Sequence, residues 1–244
     1  MKLSAVTRFA AIAAALATVA TGCGSDSTTG SATSAAASES SETSTSQATT
    51  TSAVAAPSTT RIAPRDEDPQ GPNPTIVDYI LANGIQETPI SRSDSGAPRI
   101  NLPFPEGWRD AGPDAPEWAY GAILYDGPEA REYTPSIVAL LSKLTGDVDP
   151  QAILDHAPGE LANLPGWNPL TNGRESTLSG FPAYQLGGTW VQDGVEKIVA
   201  QKTVVIPWSD GIYVLQLNAD GLESQMDVVG AATNIIDDET VITP

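Results

Sequence analysis

The chain has 244 residues, with 12 Lys and Arg against 30 Asp and Glu, a formal net charge of −18 and a single Cys. So acidic a chain, without a basic stripe, excludes nucleic-acid binding, and no polybasic cluster is present to grip anionic headgroups. One Cys excludes a disulfide framework, so an exported domain of this length must stand on its hydrophobic core.

The N-terminus carries Lys2 and Arg8, then an uncharged run from Phe9 to Ala20, then Ala20-Thr21-Gly22-Cys23. A basic start, a short apolar run and a small-residue cleavage site are the layout of a secretory signal. The run is shorter than the roughly 20 residues that span a bilayer core. Small residues directly before a Cys resemble a bacterial lipobox, with Ala20 where Leu or Val is commoner. The expectation is a signal peptide over residues 1–22 and a lipid on the sulfur of Cys23. An ordinary signal that happens to contain a Cys is the alternative.

Residues 23–73 follow as a tether. Up to about residue 60 it is almost entirely Ser, Thr, Ala and Gly, and thereafter rich in Pro and charge. Such a segment buries too little apolar surface to offset its conformational entropy. It is either a bare spacer or an O-glycosylated stalk.

Residues 74–244 read as one domain. Thr75 caps a short helix, with Asp78 three positions on completing a capping box and Asn83-Gly84 stopping it. Strand patterns follow at Ile85–Ile90, Arg99–Leu102 and Trp118–Asp126. Ser136–Leu144 fits either a strand or a helix. Asp149-Pro150 opens a helix that Pro158 must end or kink. Strands resume at Asn168–Leu178, Ala183–Gln192, Val195–Trp208 and Ile212–Asn218. Asp193-Gly194 is the dipeptide that a two-residue type I′ hairpin prefers, and Ser209-Asp210-Gly211 makes the next tight turn. Three strands joined in this way are antiparallel. A last helix, capped by Asp220, carries Leu222, Met226, Val229, Thr233 and Ile236 on one side. The expected fold is α+β, a central antiparallel sheet of about six or seven strands flanked by helices.

Catalytic signals are few. His156 is the one histidine, and without a G-x-S-x-G elbow a triad would have to be built around it alone. Asp147-Val148-Asp149 and Asp237-Asp238-Glu239 lack EF-hand spacing, and the only thiol is spent on the lipid, so no zinc set exists. Gly187-Gly188 lacks the partners of a phosphate loop. No catalytic residue, no metal ligand and no cofactor is assigned. Five Trp stand among fourteen aromatic residues. Core packing explains most of them, while Trp190 and Trp208, each beside a hairpin turn, are candidates for the border of a ligand groove.

The lipobox, the tether, "TIVDYILANGI", "INLPFPEGW", "YQLGGTWVQDG" and a C-terminal helix together resemble the mycobacterial LpqN/LpqT family of lipoproteins, over about residues 74–242. The resemblance implies a PsbP-like sandwich, a place in the cell envelope, and an association with lipid trafficking alongside membrane transporters. Of site residues it carries over only Cys23. Three functional expectations stand. One is a non-enzymatic, membrane-anchored lipoprotein that binds a lipid or glycolipid, or assists its transport, in a concave apolar site between sheet and helix. The second is a docking module with an exposed apolar patch for a membrane or envelope protein. The third is a hydrolase using His156 or a carboxylate pair.

Overall fold

A computed structural model describes residues 71–243. The expected signal peptide, Cys23 and the tether up to residue 70 lie outside them.

The described chain begins beside a helix rather than free of it. Asn73 accepts from Asn163 Nδ2 at 2.8 Å through its carbonyl and donates its own N–H to Asn163 Oδ1 at 3.1 Å. Asn73 is thereby tied to the end of the Pro158–Ala162 helix. Helix α1 is Ile76–Ala82, with Thr75 and Asp78 closing the expected capping box. The N–H and hydroxyl of Thr75 hold the Asp78 carboxyl below the usual carboxylate range.

Among the described residues, eleven strands follow or interleave the helices: β1 Gln86–Pro89, β2 Arg99–Asn101, β3 Trp108–Asp110, β4 Gly121–Tyr125, β5 Ser136–Thr145, β6 Asn168–Pro169, β7 Arg174–Leu178, β8 Phe181–Gln192, β9 Val195–Trp208, β10 Gly211–Leu222 and β11 Val241–Thr243. Helices α2 (Pro150–His156) and α3 (Pro158–Ala162) stand between β5 and β6, and α4 (Met226–Glu239) between β10 and β11. Nine strands form one antiparallel sheet in the order β3-β4-β5-β10-β9-β8-β6, with β1 also on β5 and β7 also on β8. The remaining pair, β2 and β11, forms a separate two-stranded sheet.

The α+β class is as expected, and the strand count is higher for identifiable reasons. Trp108–Asp110 pairs in the edge position although its sequence is a Gly-rich turn exit. Residues 168–178 divide into β6 and β7, because Gly173 at φ 70° turns the chain away from the ladder. Ser136–Thr145 is a strand, paired on one side with β10 and on the other with both β4 and β1. Asp193 and Gly194 have φ of 52° and 79°, the double left-handed turn of a type I′ hairpin. Ser179 and Gly180, with φ of 50° and 83°, make the same turn between β7 and β8.

The break between α2 and α3 falls at Pro158, and Asp149 caps α2 by accepting from Gln151 N–H at 2.9 Å. Asp220, expected to cap the last helix, does not. It lies within β10, register-paired with Val199 and Ser136, and its carboxylate meets Lys197 Nζ at 2.8 Å. The helix starts later. Gln225 Oε1 accepts from Leu222 N–H at 2.9 Å and closes a short 3-10 turn over Glu223–Gln225, after which α4 begins at Met226. The strand runs on because the buried ion pair holds Asp220 in the sheet.

Each long strand contributes to both faces. Leu215, Leu217 and Ala219 of β10 join Ile198, Val204 and Ile206 of β9 in the core beneath Val229, Ala232 and Ile236 of α4. Their neighbours Val214 and Val205 point the opposite way, into a second core with Ile76 and Ile80 of α1 and Ile153 and Leu154 of α2. This period-two alternation between two apolar layers explains why β10 reads as apolar at both parities.

Candidate functional site

Where α4 crosses the sheet, the facing residues are small. Gly187 on β8, Ala200 on β9 and Ala219 on β10 are register partners, so they form one row across three strands. Gly230 on α4 shares the lining with them, and a Cβ built on it would meet nothing within 4 Å. Large residues flank this row and hold the helix off. Ile198 and Leu217 stand on either side of it on the same sheet face, and Val229 and Ile236 pack down from α4. The result is a cavity of about 510 Å³ between helix and sheet. That lies within the ~300–1,000 Å³ usual for small-molecule sites. The cavity lies between sheet and helix, the place where the ligand-binding expectation puts a concave space.

Polar groups gather on one side of it. Lys202 of β9 reaches Asp237 of α4 at 2.7 Å, with the Lys202 side chain only 8% exposed. Arg174, at the start of β7, and Gln185 of β8 complete that side, with Leu170 and Thr171 at the cavity's edge. β6 and β7 both pair with the same edge of β8, and the Leu170–Gly173 loop passes between them, tied by Leu170 N–H to Gly187 O at 3.0 Å.

The tryptophans that the sequence pointed to lie elsewhere. Trp190 is 4% exposed and packs with Leu161, Leu164 and Val199 on the opposite sheet face. Trp208 is half-buried at the far end of β9, against the core under α4. Neither lines the cavity. Sequence reasoning missed the residues that do, because a row such as Gly187–Ala200–Ala219 exists only once the strands are in register. The Gly187-Gly188 pair was its one visible trace.

His156 stands in the last turn of α2. Its Nδ1 lies 2.7 Å from Ala152 O, and its ring packs against Tyr79 at 5.3 Å between centroids. Asp155 beside it accepts from Gln151 Nε2 at 3.0 Å. No serine or threonine hydroxyl is joined to this histidine among the described residues. Asp149 is occupied as a helix cap and Asp237 as the partner of Lys202. No group of three or more His, Cys, Asp or Glu that could hold a metal gathers among the described residues. Among them, too, no helix is long and apolar enough to cross a membrane.

A family model described as probable lipoprotein LpqN matches residues 72–243, the whole of this sandwich. The chain belongs to the LpqN lipoprotein family. Lipoprotein LpqN of Mycobacterium tuberculosis (strain ATCC 25618 / H37Rv) is 51% identical over 174 residues, 71% of this chain and 76% of that protein. A crystal structure of LpqN, described as involved in cell envelope biogenesis of Mycobacterium tuberculosis, has a TM-score of 0.67 and 50% identity. It covers 71% of this chain and all of the solved one. A proline-rich 28 kDa antigen homolog of Mycobacterium leprae is 25% identical over 163 residues, 66% of this chain and 58% of that protein. None of these relatives is named as an enzyme. Membership makes the chain a cell-envelope lipoprotein of the LpqN type, as the sequence motifs implied.

Proposed function

We propose that this protein is a non-enzymatic envelope lipoprotein, held at the outer face of the cell membrane through Cys23, whose domain binds a lipid or glycolipid in the cavity under α4. The observation that carries the reading is the cavity: about 510 Å³, floored by Gly187, Ala200 and Ala219 and polar along one side. An acyl chain fits the apolar floor, and its headgroup meets the polar side at Lys202, Asp237 and Arg174. The involvement of LpqN in cell envelope biogenesis supports a role in handling envelope lipids. A domain on a long tether can take an amphiphile from the membrane, or from a transporter within it, and keep its chain out of water. Native mass spectrometry of the full chain purified from a mycobacterial host, followed by lipid extraction, tests this. A bound amphiphile of defined mass is the expected result. A protein that is empty, and that takes up no envelope lipid on incubation, overturns the reading.

A further inference from the structure

We infer that the cavity under α4 is a blind trough that limits the length of acyl chain it takes, with Ile137 of β5 as its end wall. This limit rests on the reading of the cavity as an amphiphile site and adds the class of chain that fits there.

Gly187 on β8, Ala200 on β9, Ala219 on β10 and Ile137 on β5 are successive register partners. Directly opposed residues of antiparallel strands share a face. The four therefore form one row across the sheet, and all four line the cavity. Three of them are Gly or Ala and leave a trough, while Ile137, 1% exposed, stands up and fills it. Behind Ile137 the row continues into its register partner Ile123 of β4, which is also buried. The sides are closed as well. Ile198 of β9 and Leu217 of β10 stand on opposite sides of the row, on the same face. At Gly221, the register partner of Ile198, helix and sheet touch: a Cβ there would lie 3.0 Å from Val229 Cγ2.

The other end of the row is open. Gly187 lies on the edge of β8 between the stretches that pair with β6 and β7. Leu170 and Thr171, in the loop that crosses there, are exposed and line the cavity. A chain enters at this edge and runs beneath α4 toward Ile137. From Gly187 to Ile137 is three strand spacings, ~14 Å at ~4.8 Å each. An extended polypeptide advances ~3.3–3.6 Å per residue over its three backbone bonds, or about 1.2 Å per bond. An all-trans hydrocarbon has the same zigzag. With the Ile137 side chain closing part of the last spacing, the trough takes roughly ten carbons. Methylenes beyond that number stay at the mouth near Leu170 and leave little apolar surface to be buried.

The test is a series of n-alkyl maltosides from hexyl to tetradecyl, each titrated calorimetrically into the full-length chain below its aggregation concentration. One neutral headgroup throughout leaves chain length as the only variable. In wild type, affinity is expected to rise about fourfold per added CH2 up to about ten carbons, and by less than about twofold per CH2 beyond. Ala200→Val places a branched side chain in the trough one strand in from its mouth. Ala200 is half-buried in a strand, where valine is favoured, and a melting temperature verifies the fold. Hexyl and decyl maltoside are expected to bind this variant within about threefold of each other. An affinity that climbs by the same increment through tetradecyl in wild type overturns the blind end and leaves the cavity reading standing. A break at the same chain length in wild type and folded Ala200→Val overturns the assignment to this row. Binding of no member of the series removes the cavity reading and the length limit with it.

Discussion

Lys197 and Asp220 form a buried ion pair across β9 and β10, Nζ to Oδ2 at 2.8 Å, with side chains 3% and 13% exposed. The hydroxyl of Tyr133 joins both, accepting from Lys197 at 2.7 Å and donating to Asp220, while Gln192 Oε1 accepts from the same ammonium at 3.1 Å. Asp220 is thereby a sheet residue and not a helix cap. Removing one partner strands the other charge away from water. Asp220→Ala is expected to cost ~3–5 kcal/mol in urea unfolding, whereas the paired exchange Lys197→Met with Asp220→Leu is expected to be nearly neutral. A single variant within ~1 kcal/mol of wild type contradicts this assignment.

The cap of α2 is a smaller and separable term. Asp149 accepts from Gln151 N–H at 2.9 Å at the start of a seven-residue helix. Asp149→Ala is expected to lower stability by ~1 kcal/mol, and Asp149→Asn or Asp149→Ser by much less.

Gly188 tolerates no side chain. A Cβ there would lie 2.5 Å from Asn168 O and 2.6 Å from the Trp167 ring, both packed on the same edge of β8. Gly188→Ala is expected to shift the loop before β6 and lower the melting temperature. An unchanged melt contradicts the close approach.

Lys143 and Asp210 pair at 2.7 Å beside the turn between β9 and β10. The contact holds the Asp210 carboxyl below its usual range and the Lys143 ammonium above its own, the hydrogen bond being the main cause in each. For Asp210, the contribution is present above the ordinary carboxylate value and is lost as pH falls below about 4. For Lys143, it is present below the ordinary lysine value and is lost as pH rises above about 10.5. The stability difference between wild type and Asp210→Asn is therefore expected to be a plateau at neutral pH that shrinks at both ends. It is small, because the pair faces solvent. A difference that grows toward acid contradicts it.

The sequence showed what is local in the chain. Asp193-Gly194 named its own hairpin, Thr75 with Asp78 its capping box, and Asp149-Pro150 its helix start, because each is decided within a few residues. Asp220 misled for the same reason. Its spacing to Glu223 is that of a cap, while the Lys197 that claims it lies 23 positions away, across a hairpin. Trp190 and Trp208 stood near turns in the sequence, but strand parity sends Trp190 to the face away from the cavity, and Trp208 lies at the far end of β9, outside the cavity lining. The cavity is a product of register alone: Gly187, Ala200 and Ala219 are unremarkable in their own segments and become a floor when β8, β9 and β10 align.

Gly230→Leu in the full-length chain is the sharpest probe of whether the space under α4 holds an amphiphile. The position is helical and lines the cavity, and a Cβ there would meet nothing within 4 Å, so a leucine side chain is expected to project into that open space. Leucine also replaces a poor helix former, worth ~0.5–1 kcal/mol, so the melting temperature is expected to rise by ~1–4 °C. Isothermal titration with myristoyl amphiphiles is the measurement. At least about a tenfold loss of affinity is expected, in a protein that is no less stable than wild type. Undiminished binding by a folded Gly230→Leu protein would contradict it and place the ligand elsewhere on the molecule.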